Sequence, residues 1–513
     1  MNKTAFAILC GFLIVLGLVG AVKPQMAIQA ASTQQARQSR PGALAAKLNR
    51  AADSADAAPA GETSIEVTVH PETPGLAIAP DFLGLSYEAP VLAKDYFDVH
   101  HKDLRRLLAN LGTGVLRYGG NSVEFTYWSR NGNVSAPHPK ARAILTPKDL
   151  NRVFKFSKKT GWPVMLGLNL GHYNPQMAAD EAAYAVKHGG KHLLALEIGN
   201  EPDLYPYWKL RPKTWDYAEF HKQFVAYLDA IRARAPHAPI AGPTTCCNAG
   251  FKWFPNFLDD EALQLVMATH HNYPTHASHQ LPRTSPRYPT IERLLEPALM
   301  AKVAKEVHQL VQDSEAHHLQ FRMAEANSNS YDGGVDGQGN VFGAALWGAD
   351  YCFTLAQQGA VGVNFHGDFP RGYFGPLAIS QGHYVTQPLY YGMLLFHAAT
   401  PGRFVPVELH TQANVSAYGV LAGDGELHLV LIDKDGKTPV EVRIAGLGSY
   451  QHASVLRLTG PGLSARSDIT FGGHAVSSNG SWKPGPAQQV ARAGEDFSLQ
   501  LPAASAALVN FEK

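Results

Sequence analysis

Two apolar runs in this chain each end in a glutamate. Leu193-Leu-Ala-Leu-Glu-Ile-Gly199 leads into Asn200-Glu201-Pro202-Asp203, and Phe321-Arg-Met-Ala324 leads into Glu325-Ala-Asn327. Short apolar runs bounded by polar and turn-forming residues read as buried strands. In a closed barrel of parallel strands the reactive groups project from the C-terminal strand ends. Two carboxyl groups facing each other across such a mouth can be held in opposite protonation states by their different surroundings. That pairing suits hydrolysis of a glycosidic bond: a gap of roughly 5 to 5.5 Å lets one carboxylate attack carbon directly, and a wider gap admits a water. The sequence leaves the gap open. A lone Asn-Glu-Pro would read as a solvated loop, but both glutamates close apolar strands that are fourth and seventh in the series, and this favours chemistry.

The elements that must carry them alternate from Phe82 to Asp368. Candidate strands are Phe82–Glu88, Val115–Gly119, Pro163–Leu168, Leu193–Gly199, Pro239–Pro243, Val266–His271, Phe321–Glu325 and Gly362–His366. Amphipathic stretches between them, Leu104–Leu111, Pro147–Thr160, Asp180–His188, Trp215–Arg234, Ile291–Asp313 and Phe342–Leu355, predict helices. Strand and helix in strict alternation predict an α/β fold, a (β/α)8 TIM barrel over residues 81–383. A last barrel helix is expected within 384–402. Period-two runs such as Val405–His410, Val415–Val420, Leu427–Leu431 and Val440–Ile444 predict an all-β sandwich over 403–513. Ser64–Val69 alternates too, so residues 62–80 are expected to add a strand to that sandwich.

The N-terminus reads as an export segment, residues 1–31. Lys3 supplies the charge, Ala5 to Val22 the apolar run, and Ala27, Ala30 and Ala31 suit cleavage. An uncleaved anchor is the alternative. Residues 32–61 lack an apolar period and read as a flexible tether. A formal net charge of +1 with 45% hydrophobic and 17% charged residues excludes a disordered or nucleic-acid-seeking composition. Of four cysteines, Cys10 lies in the export segment and Cys246 and Cys247 are adjacent, so no disulfide framework is expected and the thiols read as plain buried ones. No Cys-x2-Cys or His-x3-His spacing suggests a metal. The Gly- and Asp-rich stretch Ser328–Asn340 lacks the closing Glu of a calcium loop. Trp482 reads as a packing residue rather than a binding platform.

Asn200-Glu201 with Glu325 resembles clan A of the retaining glycosidases, in which the strand-four Glu is acid/base and the strand-seven Glu nucleophile. More narrowly, the chain resembles family 79 of the glycoside hydrolases, the β-glucuronidase and heparanase family, through Gly84-Leu-Ser-Tyr-Glu88, Leu116-Arg-Tyr-Gly-Gly-Asn-Ser122, Gly199-Asn-Glu-Pro-Asp-Leu-Tyr205, His270-His-Asn-Tyr273, Arg322-Met-Ala-Glu-Ala-Asn-Ser328 and Gln387-Pro-Leu-Tyr-Tyr-Gly392. The resemblance implies that Asn200 binds the sugar 2-hydroxyl, that Tyr273 bonds the nucleophile or the sugar with His271 shaping the site, and that Glu88 accepts from sugar hydroxyls. It implies that a uronate carboxylate meets tyrosine hydroxyls and backbone N–H groups, with Tyr331, Gly372 and Tyr373 the candidates and Arg371 a further one. The expected activity is exo-β-glucuronidase on a glucuronate-containing glycan, secreted or periplasmic, with no cofactor, no metal, no nucleic acid and no membrane beyond the export segment. Rival readings are another clan A β-glycosidase (endo-acting and heparanase-like, a xylosidase or a glucosidase) and an inactive carbohydrate-binding protein.

Overall fold

The computed structural model describes residues 63–135, 139–276, 281–330, 334–370 and 372–513. The proposed export segment and tether, together with Tyr331 and Arg371, lie outside the described residues.

Eight strands form a closed parallel barrel: Leu83–Glu88, Val115–Gly119, Val164–Leu168, Leu193–Ile198, Ile240–Cys246, Leu265–Asn272, Phe321–Ala326 and Gly362–Gly367. Each pairs with its neighbours in sequence, and the eighth closes on the first with Val363 opposite Leu83 and Gly367 opposite Tyr87. These are the eight strands read from the sequence, with ends shifted by a few residues. Leu85, Leu116, Leu166, Leu196 and Ile240 fill one face, and Val115, Met165, Ala195, Ala241 and Ala324 fill the other. That double burial is why the strands read as continuous apolar runs.

Helix boundaries follow local chemistry. Pro147–Thr160 opens with a Thr146/Asp149 capping box and closes at Gly161 in the left-handed region. The stretch Ile291–Asp313, read as one helix, is two: Ile291–Leu294 and Pro297–Ala316. Pro297 lacks the N–H that would continue the first and suits the first turn of the second. Helix Cys247–Glu261, which holds Gly250 and Pro255, escaped the sequence reading.

At the closed end of the barrel Arg322 donates to Asn364 Oδ1 (2.6 Å) and to the carbonyl of Phe82 (3.2 Å). Gly362 makes room for it, since a Cβ there would fall 2.1 Å from Arg322 Nη1.

The C-terminal domain packs two sheets over a core that includes Val67, Leu429, Leu431, Val442, Ile444, Phe497 and Phe511. Thr63–Val69 sits inside the five-stranded sheet, antiparallel to Val407–Leu409 and parallel to Val440–Ala445. Helices Phe342–Gln357 and Pro388–Ala398 are buried almost all round because both pack between barrel and sandwich. Asp350 on the first of them accepts from Lys434 Nζ and from the Tyr418 hydroxyl, each at 2.7 Å, and so pins the domains together. Among the described residues no helix is long and apolar enough to cross a membrane.

Candidate active site

Glu201 lies just past the fourth strand, in the left-handed region at φ 49°. Its backbone N–H donates to the Thr244 carbonyl of the neighbouring strand end (2.9 Å). Glu124 fixes the turn before it by accepting from the N–H groups of Asn200 (2.7 Å), Leu170 (2.9 Å) and Gly171 (2.5 Å) and from the Tyr205 hydroxyl (2.5 Å). Glu325 is aimed differently: the ladder slips between Met323 and Glu325 against the sixth strand and between Met323 and Ala326 against the eighth. Irregularities of this kind re-aim side chains beside functional sites.

Both carboxyls are buried, each residue 4% exposed. They face one cavity of about 540 Å³, and one oxygen of each lies within 4.8 Å of the other and of a His271 ring nitrogen. Glu325 is fully engaged: Arg117 Nη1 donates to Oε2 (2.7 Å), the Tyr273 hydroxyl donates to Oε1 (2.6 Å), and His366 Nδ1 stands 3.6 Å from Oε2. Burial opposes its ionisation, but the charges of His366 and Arg117 and the Tyr273 hydrogen bond overcome this and hold it well below the usual carboxylate range. Glu201 has the opposite environment, because burial and then the charge of Glu325 push its carboxyl up to about 8. At neutral pH one carboxyl carries the proton and its partner the charge.

The tautomer of His271 follows from Arg117. A guanidinium only donates, so Nη2, at 3.1 Å from His271 Nε2, marks that nitrogen as the bare one. The ring hydrogen is then on Nδ1, directed at Glu201 Oε1 (3.1 Å). Burial lowers this imidazole to about 4, so it stays neutral. Glu201, His271 and Glu325 are spaced as metal ligands could be. Their donor atoms, however, already hold or receive hydrogens from one another, from Arg117 and from Tyr273.

A glycosyl hydrolase family 79 C-terminal β domain matches residues 417–508. The β-glucuronidase of Aspergillus niger is 25% identical over 393 residues, 68% of this chain and 71% of that one. The β-glucuronidase of Neurospora crassa is 28% identical over 332 residues, 56% of this chain and 57% of its own length. The chain is a glycoside hydrolase similar to family 79 in its C-terminal domain and to these two β-glucuronidases. In fold, this glycoside hydrolase resembles a 4-O-α-L-rhamnosyl-β-D-glucuronidase from Fusarium oxysporum (TM-score 0.72, 18% identity, 88% of this chain and 99% of that one). It also resembles a family 51 arabinofuranosidase from Xanthomonas axonopodis (TM-score 0.64, 15% identity, 88% and 100% covered).

Among the other residues singled out from the sequence, Asn200 Oδ1 accepts from Arg117 (3.0 Å) and its amide donates to Asn121 (3.1 Å). Glu88 lines the cavity, accepting from the N–H and hydroxyl of Ser122, with Oε1 3.6 Å from His366 Nε2. Gly372 and Tyr373 do not reach the cavity wall. Gly372 backs onto Ala378 and Gln387, Tyr373 is 42% exposed, and Asp368 and Phe374 of the same loop face the cavity instead. Cys247 is exposed, not buried, and both it and Cys246 line the cavity.

The residue that sequence reading passed over is Arg117. Completely buried on the second strand, it also donates to Glu197 Oε2 (2.6 Å) and Ser86 Oγ (3.1 Å), and so ties the first, second and fourth strands to Glu325 on the seventh. A charged residue inside an apolar strand was the available signal, and Glu197 inside the fourth strand was its counterpart. Arg117→Met leaves two buried carboxylates without their cation. We expect a loss of about 3 to 5 kcal/mol in denaturant unfolding, with reduced turnover in the fraction that folds.

Proposed function

We propose that this glycoside hydrolase is a retaining exo-β-glucuronidase of family 79. The observation that carries the reading is a pair of buried carboxyls in one cavity, at the short spacing of a direct-displacement enzyme and in opposed surroundings that favour a proton on Glu201 and a charge on Glu325. Glu201 gives its proton to the glycosidic oxygen as Glu325 attacks the anomeric carbon, which releases the alcohol and leaves a glycosyl ester. Glu201, now ionised, takes a proton from water as that water displaces the ester, and both carboxyls return to their starting states. Tyr273 keeps the attacking carboxylate oriented, and the second amide hydrogen of Asn200 is available to a sugar 2-hydroxyl. The two β-glucuronidase relatives support a uronate in the site, and the absence of a dense basic run supports a terminal rather than an internal sulfated target. The apolar run Ala5 to Val22 supports export.

The reading fixes the pH profile. Activity requires protonated Glu201, so it falls as pH rises through about 8. Because Glu325 resists protonation, the acid limb lies below the usual carboxylate range. A pH series of kcat/KM checks both limbs.

The uronate itself is tested by a panel of aryl β-glycosides. Glucuronide is expected to exceed glucoside and xyloside, and preference for glucoside would defeat the assignment. Arg287 lines the cavity, and its Nη2 lies 3.4 Å from the Tyr273 carbonyl. It offers a carboxylate a charge-assisted bond worth roughly 1.5 to 3 kcal/mol. Arg287→Ala should therefore lower kcat/KM on the glucuronide by about 10- to 100-fold and leave the glucoside value little changed.

A further inference from the structure

The fifth barrel strand ends at Cys246 and the following helix begins at Cys247, whose φ of 60° turns the two side chains toward each other. Their Sγ atoms stand 2.9 Å apart. Both cysteines line the active cavity beside Glu201 and also an adjoining cavity of about 620 Å³, so reagents in solution have a route to the pair. Cys352, the third cysteine among the described residues, is buried within helix Phe342–Gln357. Contact between two adjacent thiols in an open wall is an arrangement that packing alone does not require.

We propose that Cys246 and Cys247 form a redox modification site, closed into a vicinal disulfide by low-molecular-weight disulfide oxidants. The Cys247 thiolate attacks one sulfur of the oxidant and expels a thiolate. Cys246 then gives up its proton and attacks Cys247 Sγ, releasing the second. Two protein S–H groups become one S–S bond, and the oxidant's disulfide becomes two thiols. The environment suits this order of events. The contact with Cys246 lowers the Cys247 thiol, partial desolvation by the surrounding wall opposes that shift, and Arg287 supports it against Glu201 and Glu306. Cys246 is pushed up by the same contact and by burial, which suits the resolving role. Adjacent Cα atoms are about 3.8 Å apart, closer than ordinary disulfides span, so the bond is expected to be readily reduced.

Closure alters the wall of the active cavity, which both cysteines share with Glu201.

The test treats the full-length enzyme with glutathione disulfide or with a phosphine reductant. The peptide holding residues 246 and 247 is expected to lose two hydrogens in mass, the protein to lose two titratable thiols, and reductant to restore both. Cys247→Ser should abolish every difference between the treated samples. Thiols that persist, or a mixed disulfide that never resolves, would overturn the site. Mass and thiol count do not depend on turnover, so they separate failure of this site from failure of the glycosidase reading.

Discussion

Glu325→Gln is expected to reduce turnover on an aryl β-glucuronide by on the order of 10⁵-fold or more, with KM little changed. Loss of a covalent nucleophile leaves only binding and residual electrostatics, which is why the expected drop is so large. The geometry argues against a milder outcome. Glu325 is the one carboxylate held charged by both the Arg117 guanidinium and the Tyr273 hydroxyl, and no other cavity carboxylate shares those partners. Glutamine keeps an acceptor for Arg117, so the fold should survive. The same substitution removes the charge that helps push Glu201 up. A carbon-13 titration of Glu201 should therefore move to lower pH in Glu325→Gln, an effect a merely structural role for Glu325 would not produce.

The second large effect is expected at Glu201 and depends on the leaving group. Glu201→Gln removes the proton delivered to the departing oxygen, and general acid catalysis is worth about 10² to 10⁴. A disaccharide or an aliphatic glycoside should show that full loss. A nitro-substituted phenol departs without protonation, so its release should be nearly unimpaired while hydrolysis of the glycosyl ester slows for want of a base. The visible signature is a burst of phenol followed by a slow steady rate. The alkaline limb near 8 should vanish in the same variant, because the group that titrates there is gone. Equal loss across all leaving groups would remove Glu201 from the acid/base role.

Much of the barrel was legible because its strands are buried on both faces and read as apolar runs with polar ends. Glu201 and Glu325 stood out because each closes such a run. What escaped depends on contacts between residues far apart in the chain. Arg117 meets Glu197 and Glu325 across separations of 80 and 208 residues, and no local pattern announces either partner. Helix Cys247–Glu261 escaped because Gly250 and Pro255 interrupt its pattern, although Gly250 leaves room beside Thr245 and Asp203 that a Cβ would fill. The loop after the eighth strand was read too literally. Its Gly372 and Tyr373 turn to a hairpin and to solvent, while Phe374 closes the cavity and packs its ring edge-on against His366.

One measurement bears most directly on the carboxyl pair. A 2-deoxy-2-fluoro glucuronyl fluoride reacts with a retaining enzyme to leave a slowly hydrolysed ester on the attacking residue. Peptide mapping of the inactivated protein should place the sugar on Glu325, with Glu201 unmodified. A label on any other side chain, or rapid turnover of the reagent to the inverted sugar with no label at all, would contradict the account.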